Sequence, residues 1–193
     1  MNTGFGWILL AIAIYGALHS LLAGGWAKER AAHWFGQAGR RWYRLFFSLF
    51  GGVSFVPVLA LVVLLPDVGI YRIPTPWSYL FLTVQGLGVL GVLYGVLQTG
   101  ALAFLGLAPE PQPARLVTGG VYHWVRHPLY TASLLVLWLA PALSWNGLAL
   151  NLGVTIYFLV GIQFEERKLR AAFGPAYADY ASKTPMLIPG FRI

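Results

Sequence analysis

The chain has 193 residues, of which 58% are hydrophobic and only 10% charged, whereas a soluble domain carries about a quarter charged residues; lipid is the expected solvent, and the length suits a single domain. With no cysteine, disulfides, thiolate metal sites and a cysteine nucleophile are excluded. The net charge of +7 is carried between apolar runs rather than along one stripe, which points to membrane topology and not to a nucleic-acid partner.

A helix needs roughly 20 apolar residues to cross a bilayer, and five runs reach or approach that length. The first, Phe5 to Ala23, starts near the N-terminus but lacks a basic n-region, so it reads as a retained helix and not a signal peptide. The second, Leu45 to Leu65, contains Pro57; the third, Trp77 to Leu97, carries Gly86, Gly88, Gly91 and Gly95, small residues that let membrane helices approach closely. Tyr94, Gln98 and Thr99 at its end are further candidates for lining a site. The fourth and fifth runs, Leu129 to Leu143 and Leu148 to Phe164, are shorter and joined by Ser144 to Gly147, the pattern of a tight helical hairpin. A shallow or re-entrant fourth helix stays open. The expected fold is an all-α membrane protein with about five transmembrane helices in one membrane domain, residues 1–193.

Cytoplasmic segments collect Lys and Arg. The first loop holds Lys28, Arg30, Arg40, Arg41 and Arg44, the third Arg115 and Arg126, and the tail Arg167, Lys168, Arg170, Lys183 and Arg192; only Arg72 falls in the second loop. That alternation places the N-terminus outside and the C-terminus in the cytosol.

Polar chemistry concentrates in two places on the basic side. The first runs from Leu116 to Tyr130, where Thr118, Gly119 and Gly120 make a turn and Pro128 suits the first turn of a helix. Arg126 and His127 then stand at a helix entrance whose free N–H groups suit a carboxylate; an interfacial aromatic and basic anchor explains the same composition. His123 and His127 lack a third ligand at metal spacing. The second place is Glu165 and Glu166. Neighbouring helix positions point about 100° apart, so one faces the bundle and needs a hydrogen-bonding or cationic partner, while the other pairs with Arg170 or meets solvent. Gly174 and Pro175 stop this helix. Ala176 to Ser182 follow as a short interfacial helix, and the Pro-rich stretch from Thr184 is a lid in outline.

These residues resemble a known family, the integral-membrane methyltransferases related to isoprenylcysteine carboxyl methyltransferase, and within it the thiol (methanethiol) S-methyltransferase and NnrU-like branch. The resemblance rests on Leu116-Val117, Gly120-Val121-Tyr122, Arg126-His127-Pro128-x-Tyr130, Glu165-Glu166-x-x-Leu169, Phe173-Gly174-x-x-Tyr177-x-x-Tyr180 and Pro185. It implies S-adenosylmethionine as cofactor, bound by the C-terminal part, residues 114–193, with Arg115, Leu116, Val117, Tyr122, His127, Pro128, Leu129, Tyr130 and Glu165 around it. Aromatic faces at Tyr122, Trp124 and Tyr130 suit a sulfonium or adenine. Ala17-Leu18-His19-Ser20 resembles the His-Ser element of the thiol branch, so His19 is a candidate to take a thiol proton; Arg126 and Glu166 complete the candidate catalytic set. Family enzymes acting on prenylcysteine carry Arg four positions before the matching Glu, where this chain has Gly161.

The resemblance thus implies an S-adenosylmethionine-dependent methyltransferase in a prokaryotic inner membrane, with its site facing the cytosol. Its partners would be the lipid bilayer and a small apolar or lipophilic acceptor, a thiol among the candidates. A nicotinamide-dependent reductase of the sterol reductase type and a non-catalytic membrane factor are the competing readings.

Overall fold

The computed structural model describes residues 3–98, 100, 102, 105, 107–108 and 115–191; Thr99, Arg192 and the side chains of residues 40 and 41 lie outside the described residues. Helix α1 is Phe5–Ala23, α2 Gly25–Leu64, α3 Trp77–Gln98, α4 Pro128–Trp138 and α5 Trp145–Lys183, with short strands β1 at Gly69–Arg72 and β2 at Ala142–Ser144 and a 3-10 turn at Gly120–His123.

Four helical stretches are long and apolar enough to cross a membrane, Phe5–Ala23, Trp42–Leu64, Trp77–Gln98 and Trp145–Lys183. The fold is therefore that of an all-α membrane protein. The fourth expected span is the exception. Helix α4 has 11 residues, about 16 Å at 1.5 Å per residue, roughly half the hydrocarbon thickness. Pro141 stands just beyond its end, where a missing N–H and a crowded ring prevent the helix from continuing. The expected turn between the last two runs is also more structured than the sequence suggests, because β2 pairs with β1 there.

The second helix starts earlier than its apolar run. Only Gly24, in extended conformation (φ −71°, ψ 153°), separates α1 from α2, so the basic first loop is helical. Gly36 breaks it with φ 57° and ψ −132°, a region that side chains rarely adopt and glycine enters freely. Gly174 does the same in α5 at φ 52° and ψ −127°. Pro175 then opens the next turns, so the expected stop is a kink, and helix resumes to Lys183.

The chain divides into two compact units. The first comprises Met1–Tyr71, Gly100–Pro109 and Leu143–Val154. Its core is Ile8, Ile12, Val58 and Ala149, with Phe5, Tyr15, Phe55 and Leu65 packed around it. Asn146, fully buried, closes the end of α2: its Nδ2 donates to the carbonyls of Val62, Leu65 and Pro66 at 3.2–3.3 Å. The Val62 carbonyl is among those a helix end leaves without partners.

The second unit comprises Arg72–Thr99, Glu110–Ala142 and Thr155–Ile193. Here α3 lies against α4, and the α3 glycines explain the close approach. A Cβ on Gly88 would fall 2.9 Å from Val136 Cγ2 and 3.2 Å from the Ala132 carbonyl oxygen, one on Gly95 3.0 Å from Leu129 Cδ2, and one on Gly91 3.3 Å from Ala132 Cβ. Gly86 faces nothing within 4 Å. Gln85 adds a hydrogen bond, its Nε2 donating to the Val136 carbonyl at 2.6 Å. Gly88→Val is therefore expected to destabilise the protein by about 1–3 kcal/mol through overpacking, read as a lower melting temperature in detergent. Gly86→Val is expected to leave that temperature unchanged.

Candidate functional site

Pro128 opens α4 at its first helical position, which leaves Arg126 and His127 just outside the helix. Their N–H groups are not free for a ligand carboxylate, contrary to expectation. Arg126 N–H donates to the Pro185 carbonyl at 2.9 Å and His127 N–H to that of Met186 at 3.1 Å. Thr131 Oγ1 donates to the Leu187 carbonyl at 2.8 Å. The closing segment that the sequence outlined as a lid is thus laced onto the start of α4, in the place where a helix N-terminus leaves donors exposed.

Beneath that strap, helix geometry separates the two carboxylates as the sequence required. Glu166 is buried at 6% exposure. Its Oε1 accepts from Tyr177 Oη at 2.7 Å and Arg126 Nε at 2.8 Å, and lies 3.0 Å from His127 Nε2. Arg170 Nη2 stands 3.6 Å from Oε2. Burial alone would raise the Glu166 pKa, but hydrogen bonds from Tyr177, Arg126 and His127 and the Arg126 charge outweigh it and hold the carboxyl below its ordinary value.

Arg126 reaches further than Glu166: Nη1 donates to the carbonyls of Ala181 at 3.0 Å and Thr184 at 2.6 Å. Tyr180 Oη donates to the Tyr122 carbonyl at 2.5 Å. Burial pushes the Tyr180 hydroxyl up to about 12, with Arg126 opposing and Tyr122 and Glu166 adding; burial and the Glu166 bond raise that of Tyr177 further. Both hydroxyls stay protonated and donate. Sequence reasoning placed Tyr177 and Tyr180 in the C-terminal motif but gave them no role.

Glu165 points the other way, with its side chain 46% exposed. Glu166 Oε1 occupies the Nε2 edge of His127, and Nδ1 turns to Glu165 Oε2 at 3.8 Å. That is beyond hydrogen-bond length. Tyr130 brings its hydroxyl to Glu165, and its ring meets those of His127 and Phe158 edge-on at 5.8 and 4.9 Å. Burial and the Glu165 charge raise the Tyr122 pKa, so its phenol also stays neutral. A Cβ on Gly161 would lie 3.7 Å from Tyr130 Oη, so the tyrosine hydroxyl faces the place of the missing arginine.

The expected site residues are thus gathered in part. Tyr122, Arg126, His127, Tyr130, Glu165 and Glu166 form one cluster in the second unit, while Pro128 begins α4 and Leu129 turns to Gly95 of α3. Arg115, Leu116 and Val117 belong to that unit in a stretch that is neither helix nor strand, and among the described residues no hydrogen bond or ion pair joins them to the cluster. His19 belongs to the first unit. There its ring lies 4.5 Å from that of Phe47 and stacks on Tyr15 at 5.5 Å, and a Cβ on Gly51 would fall 3.1 Å from its Nε2. Gln98, a further candidate, packs against Gly120, whose φ of 64° and contact with the amide leave no room for a side chain. An apolar cavity of about 350 Å³ borders the cluster, lined by Val84, Leu87, Gly91, Trp124, Pro128 and Leu135 among others.

Residues 77–176 match the family model described as phospholipid methyltransferase. Methanethiol S-methyltransferase 2 of Bradyrhizobium diazoefficiens is 34% identical over 94% of this chain and 71% of its own length. The chain belongs to this family of membrane methyltransferases. Methanethiol S-methyltransferase 1 of the same organism is 30% identical over 95% of this chain, which spans 66% of that relative. The methanethiol S-methyltransferase of Mycobacterium tuberculosis is 42% identical over 36% of this chain and 28% of its own. No solved structure matches.

Membership bears out the resemblance drawn from the C-terminal motifs and makes the protein a methyltransferase enzyme that uses a methyl donor; it favours neither the reductase nor the non-catalytic reading. Within the methyltransferase, the matched segment carries Arg126, His127, Glu165 and Glu166 and ends one residue before Tyr177.

Proposed function

We propose that this methyltransferase moves a methyl group from S-adenosylmethionine to a small thiol, methanethiol or a close relative, at the cytosolic face of a prokaryotic inner membrane. The observation that carries the reading is Glu165: a half-exposed carboxylate ringed by Tyr122, His127 and Tyr130, on a floor fixed by buried Glu166. The donor set fits the cofactor. A carboxylate suits an ammonium or ribose hydroxyl, and neutral aromatic rings suit a sulfonium. When bound, the cofactor supplies an electrophilic methyl on a positively charged sulfur.

Glu165, Tyr122 and Tyr130 are assigned the cofactor contacts, with Arg115, Leu116, Val117, Pro128 and Leu129 around the pocket. Arg126 and Glu166, their polar atoms committed to each other and to the strap, position His127 and the closing segment rather than touch substrate. The acceptor thiol gives up its proton to a base as its sulfur forms the new bond to carbon. Little acid–base chemistry is otherwise needed, so alignment and exclusion of water supply most of the rate. The apolar cavity and the absence of a side chain at Gly161 favour an uncharged acceptor over a prenylcysteine carboxylate. The names of the relatives support the thiol, and the basic residues crowded into alternate loops support the cytosolic face.

Calorimetry in detergent with S-adenosylmethionine, its demethylated product and NADPH tests the cofactor: binding of the first two is expected, and binding of NADPH alone would overturn the assignment. Transfer of a labelled methyl group to methanethiol, read as labelled dimethyl sulfide, tests the acceptor. Cofactor binding with no labelled sulfide would remove methanethiol and leave the cofactor in place.

A further inference from the structure

The helical segment of α2 before Gly36 has no part in the site above, yet its surface is unusual. Trp26, Trp34 and Phe35 are 67%, 68% and 66% exposed. Trp26, Arg30 and Trp34 share one helix face at spacings of four residues, and the Arg30 guanidinium lies 5.5 Å from the centroids of both indoles. Phe35 and Lys28, both exposed, lie about 140–160° round the helix from that stripe, and Ala27 is buried between the two. The sequence adds Arg40, Arg41 and Arg44, against one acid, Glu29.

This stripe lies outside the bilayer-crossing stretch. The span begins at Trp42, and the left-handed Gly36 turns the chain before it. The turn is tight: a Cβ on Gly39 would collide with the Ala31 carbonyl. Residues 25–35 are about 16 Å of helix at 1.5 Å per residue, too short to cross a membrane and joined to a span by a sharp bend. Exposed indoles belong at headgroup depth, and cations interleaved with them stand where lipid phosphates are.

We propose that residues 25–35 form an in-plane anchor that docks on an anionic leaflet, with Trp26, Trp34 and Phe35 in the headgroup layer and Lys28 and Arg30 on lipid phosphates. The occupant is the anionic bilayer surface, argued from charge complementarity. A neutral surface would satisfy the indoles but leave the cations unmatched.

The test is hydrogen exchange of the full-length protein in nanodiscs of phosphatidylcholine alone and of phosphatidylcholine mixed with phosphatidylglycerol. Backbone amides of residues 25–36 are expected to exchange about tenfold more slowly in the anionic discs at low salt, and the difference should vanish at high salt, since two cations at an anionic surface hold the segment by electrostatics. Lys28→Gln with Arg30→Gln should also abolish it. Equal exchange in the two lipids would overturn the proposal, and that comparison needs no variant to fold. Protection reproduced in phosphatidylcholine discs by inorganic phosphate alone would overturn it too, since it would make the stripe a phosphate site and not a lipid anchor. Retained protection in the double variant would remove Lys28 and Arg30 and with them the charge argument.

Discussion

Glu166→Ala is expected to destabilise the second unit by about 3–5 kcal/mol, the cost of breaking a buried ion pair by removing one partner. The loss is large because one oxygen serves three groups: Arg126, Tyr177 and the His127 ring all converge on Oε1. Arg126 would keep its carbonyl bonds to Ala181 and Thr184 but would be left buried without its counter-charge. The strap would loosen with it, exposing the N–H groups of Arg126 and His127 now bonded to Pro185 and Met186. Thermal unfolding in detergent reads the loss, and faster hydrogen exchange at residues 184–187 localises it. Glu166→Gln, which keeps the acceptor but not the charge, should fall between alanine and the native protein. An alanine variant as stable as the native protein would mean that the cluster holds nothing together.

The same cluster gives an acid sensitivity of fixed sign. The Glu166 pKa is lowered in the folded chain from its ordinary value of 4.5, so its contribution is complete above that value. It is lost as pH falls below 4.5 and through the lower folded value. Melting temperature should fall with pH in that acid range in the native protein and less steeply in Glu166→Gln.

Much of this arrangement was legible in the residue order, and what was not has physical reasons. Pro128 marked the start of α4 because its missing N–H costs nothing in the first turn of a helix. Adjacent Glu165 and Glu166 had to diverge, since helix neighbours cannot share a direction. Which of them turns inward was not legible, because Arg126, His127 and Tyr177 select Glu166 from 40, 39 and 11 residues away. The donors expected at Arg126 and His127 were correctly placed but wrongly assigned: a polar-poor tail supplies their acceptors through carbonyls, which every residue has. The short α4 and most of β2 were hidden inside the fourth apolar run, where hydropathy records burial in lipid but not backbone direction, and β1 lay in the loop before α3. The break at Gly36 was missed because basic residues around it read as a loop.

Glu165→Ala, by contrast, is expected to leave stability nearly unchanged and to weaken S-adenosylmethionine binding tenfold or more, about 1.4 kcal/mol or above. Its carboxylate is half exposed and the His127 Nδ1 stands 3.8 Å away, so removing it strands no buried ion pair. What it does offer is a half-exposed carboxylate on the open side of the cluster, beside hydroxyls that stay protonated. Glu165→Gln should keep a ribose hydroxyl contact and lose an ammonium contact, so the glutamine variant distinguishes the two: affinity close to native assigns a hydroxyl, and affinity close to that of alanine assigns the ammonium. Titration calorimetry on variants with native melting temperatures makes the measurement, and native affinity in Glu165→Ala would take the residue out of the site. The pair of carboxylates thus separates fold from function: loss of Glu166 should be read first in unfolding, and loss of Glu165 only in binding.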